Sequence, residues 1–277
     1  MKALLYLLLA TLFSSCLRME AVQQYAAESS ESTHQFNEID LTFRALCQRK
    51  RQLRDLRQSR VLRTYQDSCL LHQQADSAIA EIQAAVQEYL VALQAVSSGD
   101  RVIYDLSAVK DGLASSGLIN IEATTASAYQ NLIELLATAT TEAYRRRQVQ
   151  KLVAEANAPL ATLIDQLTFV VDESFREAIE QQKEMLYIDT RELTDSAQTF
   201  VERQRVLQQY VAESHYYEQQ LLLLDTYAII LNTIKQGHQE LYEHRDKLQR
   251  QETVRAVAFY ASQLRQLQQS FEKKVTE

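Results

Sequence analysis

His215 and Glu218 stand three residues apart in ESHYYE, the spacing that sets two side chains on one face of a helix. An imidazole and a carboxylate so placed are potential ligands for one metal ion. Two other histidine spacings invite the same test. Glu31 and His34 make a Glu-x-x-His pair, but di-iron bundles need two such motifs and further glutamates on facing helices. The stretch GHQELYEHRD gathers His238, Glu240, Glu243, His244 and Asp246. Six residues set His238 and His244 about 240° apart around a helix, too far for one ion without outside partners. His238 instead continues the apolar stripe of Ile234 and Leu241, which predicts a buried histidine bonded to a neighbouring helix. Gly237 beside it predicts close helix packing or a kink. There is no G-x-S-x-G elbow and no glycine loop followed by Lys-Ser/Thr. The sequence therefore predicts no enzyme and no cofactor.

Around His215 and Glu218, ESHYYE resembles the Gly-x-His-x-x-Glu motif of imelysin-like helical envelope proteins, with Glu213 at the glycine position. The resemblance implies that His215 and Glu218 bind metal, and this is the alternative functional reading.

Charge is distributed unevenly. Residues 44–63, RALCQRKRQLRDLRQSRVLR, hold eight basic residues against Asp55, a net of 8 − 1 = +7 in a chain of −7. Arg51, Arg54, Arg57, Arg60 and Arg63 recur every three residues, so on a helix they spread across about 240°. Such a segment is a solvated helix, pairing with acids such as Glu173, Glu177 or Glu180, or a contact for an anionic envelope surface through Arg51, Arg54, Arg57 and Arg60. An exported, net acidic chain argues against nucleic acid as a partner.

Export is read from MKALLYLLLATLFSSC. Lys2, an apolar run from Ala3 to Phe13 and small Ser14 and Ser15 follow the order of a secretory leader. This eleven-residue run, broken only by Thr11, makes about 16 Å of helix, too short to span a bilayer. LFSSC resembles the lipobox of bacterial lipoproteins, which implies acylation at Cys16 and a membrane anchor. Leu17 follows where inner-membrane retention signals usually carry aspartate, which favours the outer membrane, so a periplasm-facing outer-membrane lipoprotein is expected, with a periplasmic or secreted protein as the alternative. After Cys16 only Cys47 and Cys69 remain. A disulfide and a pair of buried thiols both fit; a disulfide demands that the chain reverse near residue 58, since one continuous helix would hold the two about 33 Å apart.

The elements that must position these residues are helices. The 277 residues include only 4 Gly and 1 Pro, where average usage gives about 19 and 14. Apolar stripes at steps of three and four run through Ile79–Val96, Tyr129–Leu152, Leu160–Leu186, Ala197–Leu241 and Val254–Phe271. The sequence predicts an all-α fold: an elongated antiparallel helical bundle with coiled-coil-like packing. Its expected parts are a leader at 1–16, a flexible tether at 17–35 and one domain at 36–277. One helix is expected over 119–156, with a boundary at Asn157–Pro159. The functional expectation is a lipid-anchored envelope protein that binds or scaffolds, with an envelope protein or anionic surface as partner and self-association through the same seams left open.

Overall fold

In a computed structural model of the chain, the described residues are 19–39, 41–57, 69–98, 118–119, 121–138 and 145–276. The leader with Cys16, the expected reversal near residue 58, Arg60, and Gly99 with nearly all of the loop after it lie outside them. The fold is all-α, without a strand among the described residues. Its helices are α1 (Glu20–His34), α2 (Phe43–Arg57), α3 (Leu70–Ser98), α4 (Ala123–Thr138), α5 (Arg145–Phe169), α6 (Arg176–Ser196), α7 (Phe200–Glu243) and α8 (Gln251–Thr276). Among the described residues no helix is long and apolar enough to cross a membrane.

Most of the predicted stripes form the core, but the stripe expected from Ala197 has no buried residue as far as Val211 and joins the core only from Tyr217. Ile79, Ile82, Val86, Tyr89, Leu90, Leu93 and Val96 of α3 are all buried, as are Leu160, Leu163, Ile164 and Leu167 of α5. In α8 the buried positions Val257, Leu264 and Phe271 recur every seven residues, a single seam toward α1 and α7.

Three expectations are corrected. The segment expected as a tether is core. α1 lies against α3 and α8, with Val22, Tyr25, Ala26, Ser29 and Thr33 buried. Its serines are small enough to let neighbouring helices approach closely, and the Thr33 hydroxyl donates back to the Ser29 carbonyl at 2.8 Å. The folded body thus includes residues 19–35, with Met19 itself buried, and does not start at 36.

The expected single helix over 119–156 is two. α4 packs alongside α5, and the Thr125 hydroxyl donates to Gln166 Oε1 at 3.3 Å across 41 residues, so the chain has reversed direction by Arg145. Conversely, Asn157–Pro159 is no boundary. α5 runs through it, with Pro159 inside the helix; the ring forgoes one backbone bond, to the Glu155 carbonyl. A π-helical turn, Val170–Phe175, carries the same rod into α6.

The helices align in a fixed register. Tyr25 OH donates to the Ile234 carbonyl at 2.5 Å and Tyr227 OH to the Thr33 carbonyl at 3.4 Å, so α1 and α7 are antiparallel. Gln150 Nε2 donates to the Arg245 carbonyl at 2.9 Å. One end of the bundle, its base, therefore collects Met19, the start of α5 and the turn at 244–250. The α6–α7 hairpin leaves the other end. Thr199 caps α7 there, with Glu202 reaching back to the Thr199 amide in a capping box.

Candidate binding surface on the distal hairpin

Cys47 and Cys69 are joined by a disulfide with Cα atoms 6.1 Å apart. It ties the basic helix α2 to the start of α3. A second tie is electrostatic. Asp76 of α3 accepts the amides of Phe43 at 2.8 Å and Arg44 at 3.0 Å, which sets a carboxylate at the positive end of α2. Burial raises the Asp76 carboxyl above its ordinary range, and the two amides oppose that rise.

The other face of α2 meets the hairpin. Gln182 Nε2 donates to the Leu46 carbonyl at 2.9 Å, and Tyr217 OH donates to Gln182 Oε1 at 2.7 Å. Beside this chain of bonds, the Arg49 guanidinium donates to Glu213 Oε2 at 2.5 Å. It lies 5.1 Å and 5.3 Å from the ring centroids of Tyr216 and Tyr217. Adjacent tyrosines cannot both point inward on a helix; Tyr217 is fully buried and Tyr216 half-buried, and both flank the same cation. Burial pushes the Tyr217 phenol up to about 12, so the ring stays neutral.

Next to this joint, α2, α3 and α6 enclose two adjoining hollows of about 280 and 400 Å³. Lys50, His72, Cys47 and Met185 border both, and Arg51, Arg54, Ile188 and Asp189 border the larger. Burial, with Arg51 and Lys50 adding to it and Asp76 opposing, holds the His72 ring below its ordinary value, so it is neutral at pH 7. Of the arginines expected at an anionic surface, Arg51 and Arg54 face this cleft. Arg57 ends α2, and its side chain is outside the described residues, as is Arg60. Among the described residues Arg49 of α2 pairs with Glu213, and Glu180 sits 3.8 Å from Lys183.

No residue from 187 to 216 is buried. Yet this stretch carries Tyr187, Ile188, Leu193, Phe200, Val201, Leu207 and Val211, all exposed, Phe200 to 74%.

The metal candidates lie elsewhere or are incomplete. His215 and Glu218 are exposed on α7, and among the described residues no third histidine, cysteine or carboxylate joins them. The group that does converge is Glu240, Glu243 and His244, with ligand atoms within 4.8 Å of one another. It is largely solvated, and His244 Nε2 already meets Glu240 at 3.3 Å. His238 is separate and buried. Its Nε2 bonds Tyr89 OH at 2.6 Å and its Nδ1 bonds Asn157 Oδ1 at 3.1 Å. The Asn157 amide oxygen can only accept, so Nδ1 carries a proton; burial keeps the ring neutral, and Nε2 then accepts from Tyr89 OH. Burial pushes it down to about 3.

Sequence reasoning missed Gln182 and the pairing of Arg49 with Glu213, because both join residues more than a hundred positions apart. No known protein family, curated protein or solved structure matches the chain, so the short likeness around His215 and Glu218 stands on its own residues.

Proposed function

We propose that the protein is a non-enzymatic binding or scaffold module of the bacterial cell envelope, acylated at Cys16 and facing the periplasm from the outer membrane. One observation carries the binding part: seven large apolar side chains lie exposed on a hairpin without a buried residue from 187 to 216. A stretch of hairpin with no buried residue gains little from its own packing, and large apolar side chains left at a surface mark a place where another molecule docks. Arg51 and Arg54 beside it would favour a partner with acidic groups. The order of residues 1–16 supports export, and the Cys47–Cys69 bond suits an oxidising compartment. An elongated bundle with coiled-coil-like seams would hold this surface away from the anchor.

A photo-reactive amino acid placed in living cells at Phe200 or Val211 tests the reading, with Phe259 on α8 as an exposed control. The expected result is one discrete protein adduct from positions 200 and 211 and none from 259. Equal adducts from all three, or none, would remove the hairpin as a binding surface. Adducts only to a second copy of the chain would make it a self-association surface.

A further inference from the structure

α1 joins the core immediately after the proposed anchor, and this fixes which way the molecule faces. Met19 is buried at the base and its carbonyl accepts the Gln23 amide at 3.0 Å. Cys16 lies only three positions before it, a reach of about 10 Å. A lipid on Cys16 therefore enters the bilayer beside the base, with no slack for the bundle to turn over.

The charge of the base fits that position. Residues 145–151 hold three arginines and a lysine with no acid, a net of +4. The turn at 244–250 adds Arg245, Lys247 and Arg250 against Asp246, a net of 3 − 1 = +2. Even after the flanking Glu20, Glu240, Glu243 and Glu252 are subtracted, these segments keep 4 + 2 − 4 = +2 in a chain of −7. The Gln150–Arg245 bond holds the two basic segments together. The other basic segment, α2, is far away. Arg49 pairs with Glu213, and from Glu213 to Glu243 is 30 residues of α7, about 45 Å. Electrostatic attraction to an anionic surface is screened within about 10 Å, so one flat bilayer cannot engage both.

We propose that the base rests on anionic phospholipid, with Arg147, Lys151, Lys247 and Arg250 at the headgroups, while Arg51, Arg54 and the hairpin face away from that membrane. This rests on acylation at Cys16, and the test keeps the two apart. Full-length protein is produced in cells with a photo-reactive amino acid at Lys247 or Phe200. Acylation is read from incorporated labelled palmitate, and lipid adducts are read from the same bands. The inference expects acylated protein that labels phosphatidylglycerol strongly from position 247 and only at background from 200. It also expects Arg147→Gln with Lys151→Gln and Arg250→Gln to reduce that labelling severalfold with acylation unchanged. Acylated protein that labels lipid from 200, or from neither position, or that labels protein rather than lipid from 247, overturns the inference and leaves the anchor standing. Absence of palmitate from the wild type overturns both.

Discussion

The ring of Tyr25 lies directly over the Cα of Gly237, so close that a Cβ at 237 would overlap the ring and stand 3.1 Å from the Cβ of Tyr260. Tyr25 cannot swing away cheaply, because it is fully buried and its hydroxyl is bonded to the Ile234 carbonyl. Gly237→Ala gains about 1 kcal/mol of helix propensity but overpacks the α1–α7 contact at about 1–3 kcal/mol. A net loss of about 1 kcal/mol is expected in denaturant unfolding, and a larger one for Gly237→Val. A stabilised Gly237→Ala protein would show that α1 does not pack as described.

His238 makes stability depend on pH. In the unfolded chain its ring titrates near 6.5, and in the folded one burial pushes it down to about 3. Between these values the unfolded state binds more protons, so this group's contribution is complete above pH 6.5 and falls with acidification, by about 1.4 kcal/mol per pH unit, until pH 3. His238→Asn loses the bond to Tyr89 OH, so it should start less stable at pH 7 and show a shallower decline below pH 6. Parallel melting curves from pH 7 to 4 would contradict the assignment.

How far was all this legible beforehand? The stripe from Ile79 to Val96 announced α3 because apolar residues alone fill it. α1 was read as a tether because Ser29 and Thr33 complete its stripe of Val22, Tyr25 and Ala26; small polar residues at core positions look like a linker until the neighbouring helices are seen. Thr199 and Glu202 are three residues apart, a capping-box start for α7 written in the sequence near the head of the Ala197–Leu241 stripe. The reversal between Thr138 and Arg145 carries no glycine or proline, only β-branched Thr138, Thr140 and Thr141. His238 was legible as a buried, bonded histidine. Arg49 was not separable from the other seven basic residues of its segment, because what distinguishes it is Glu213, 164 residues away.

Removing the disulfide should act locally. It closes a 22-residue separation, and releasing such a loop costs about 3 kcal/mol. Cys47→Ser with Cys69→Ser is expected to lower stability by that order, with hydrogen exchange rising first in α2. Unchanged exchange of α2 peptides would mean that Asp76 and Gln182 suffice to hold it.

Arg49→Met keeps length and apolar contact but removes the bond to Glu213 and the charge between Tyr216 and Tyr217. A partly buried charge-assisted bond contributes about 1–3 kcal/mol, so a loss in that range is expected. Glu213→Gln should cost less, since its amide oxygen still accepts from Arg49. Equal stability of Arg49→Met and wild type would show that α2 is not fastened to the hairpin here.

The claim on which the orientation depends is that the chain from Met19 onward, three positions after Cys16, is part of the folded body. Hydrogen exchange of a peptide covering residues 21–34, followed in the acylated protein, measures this directly. The account predicts protection close to that of the α3 core peptide 79–96. Exchange of 21–34 within seconds, as in a free linker, would contradict it.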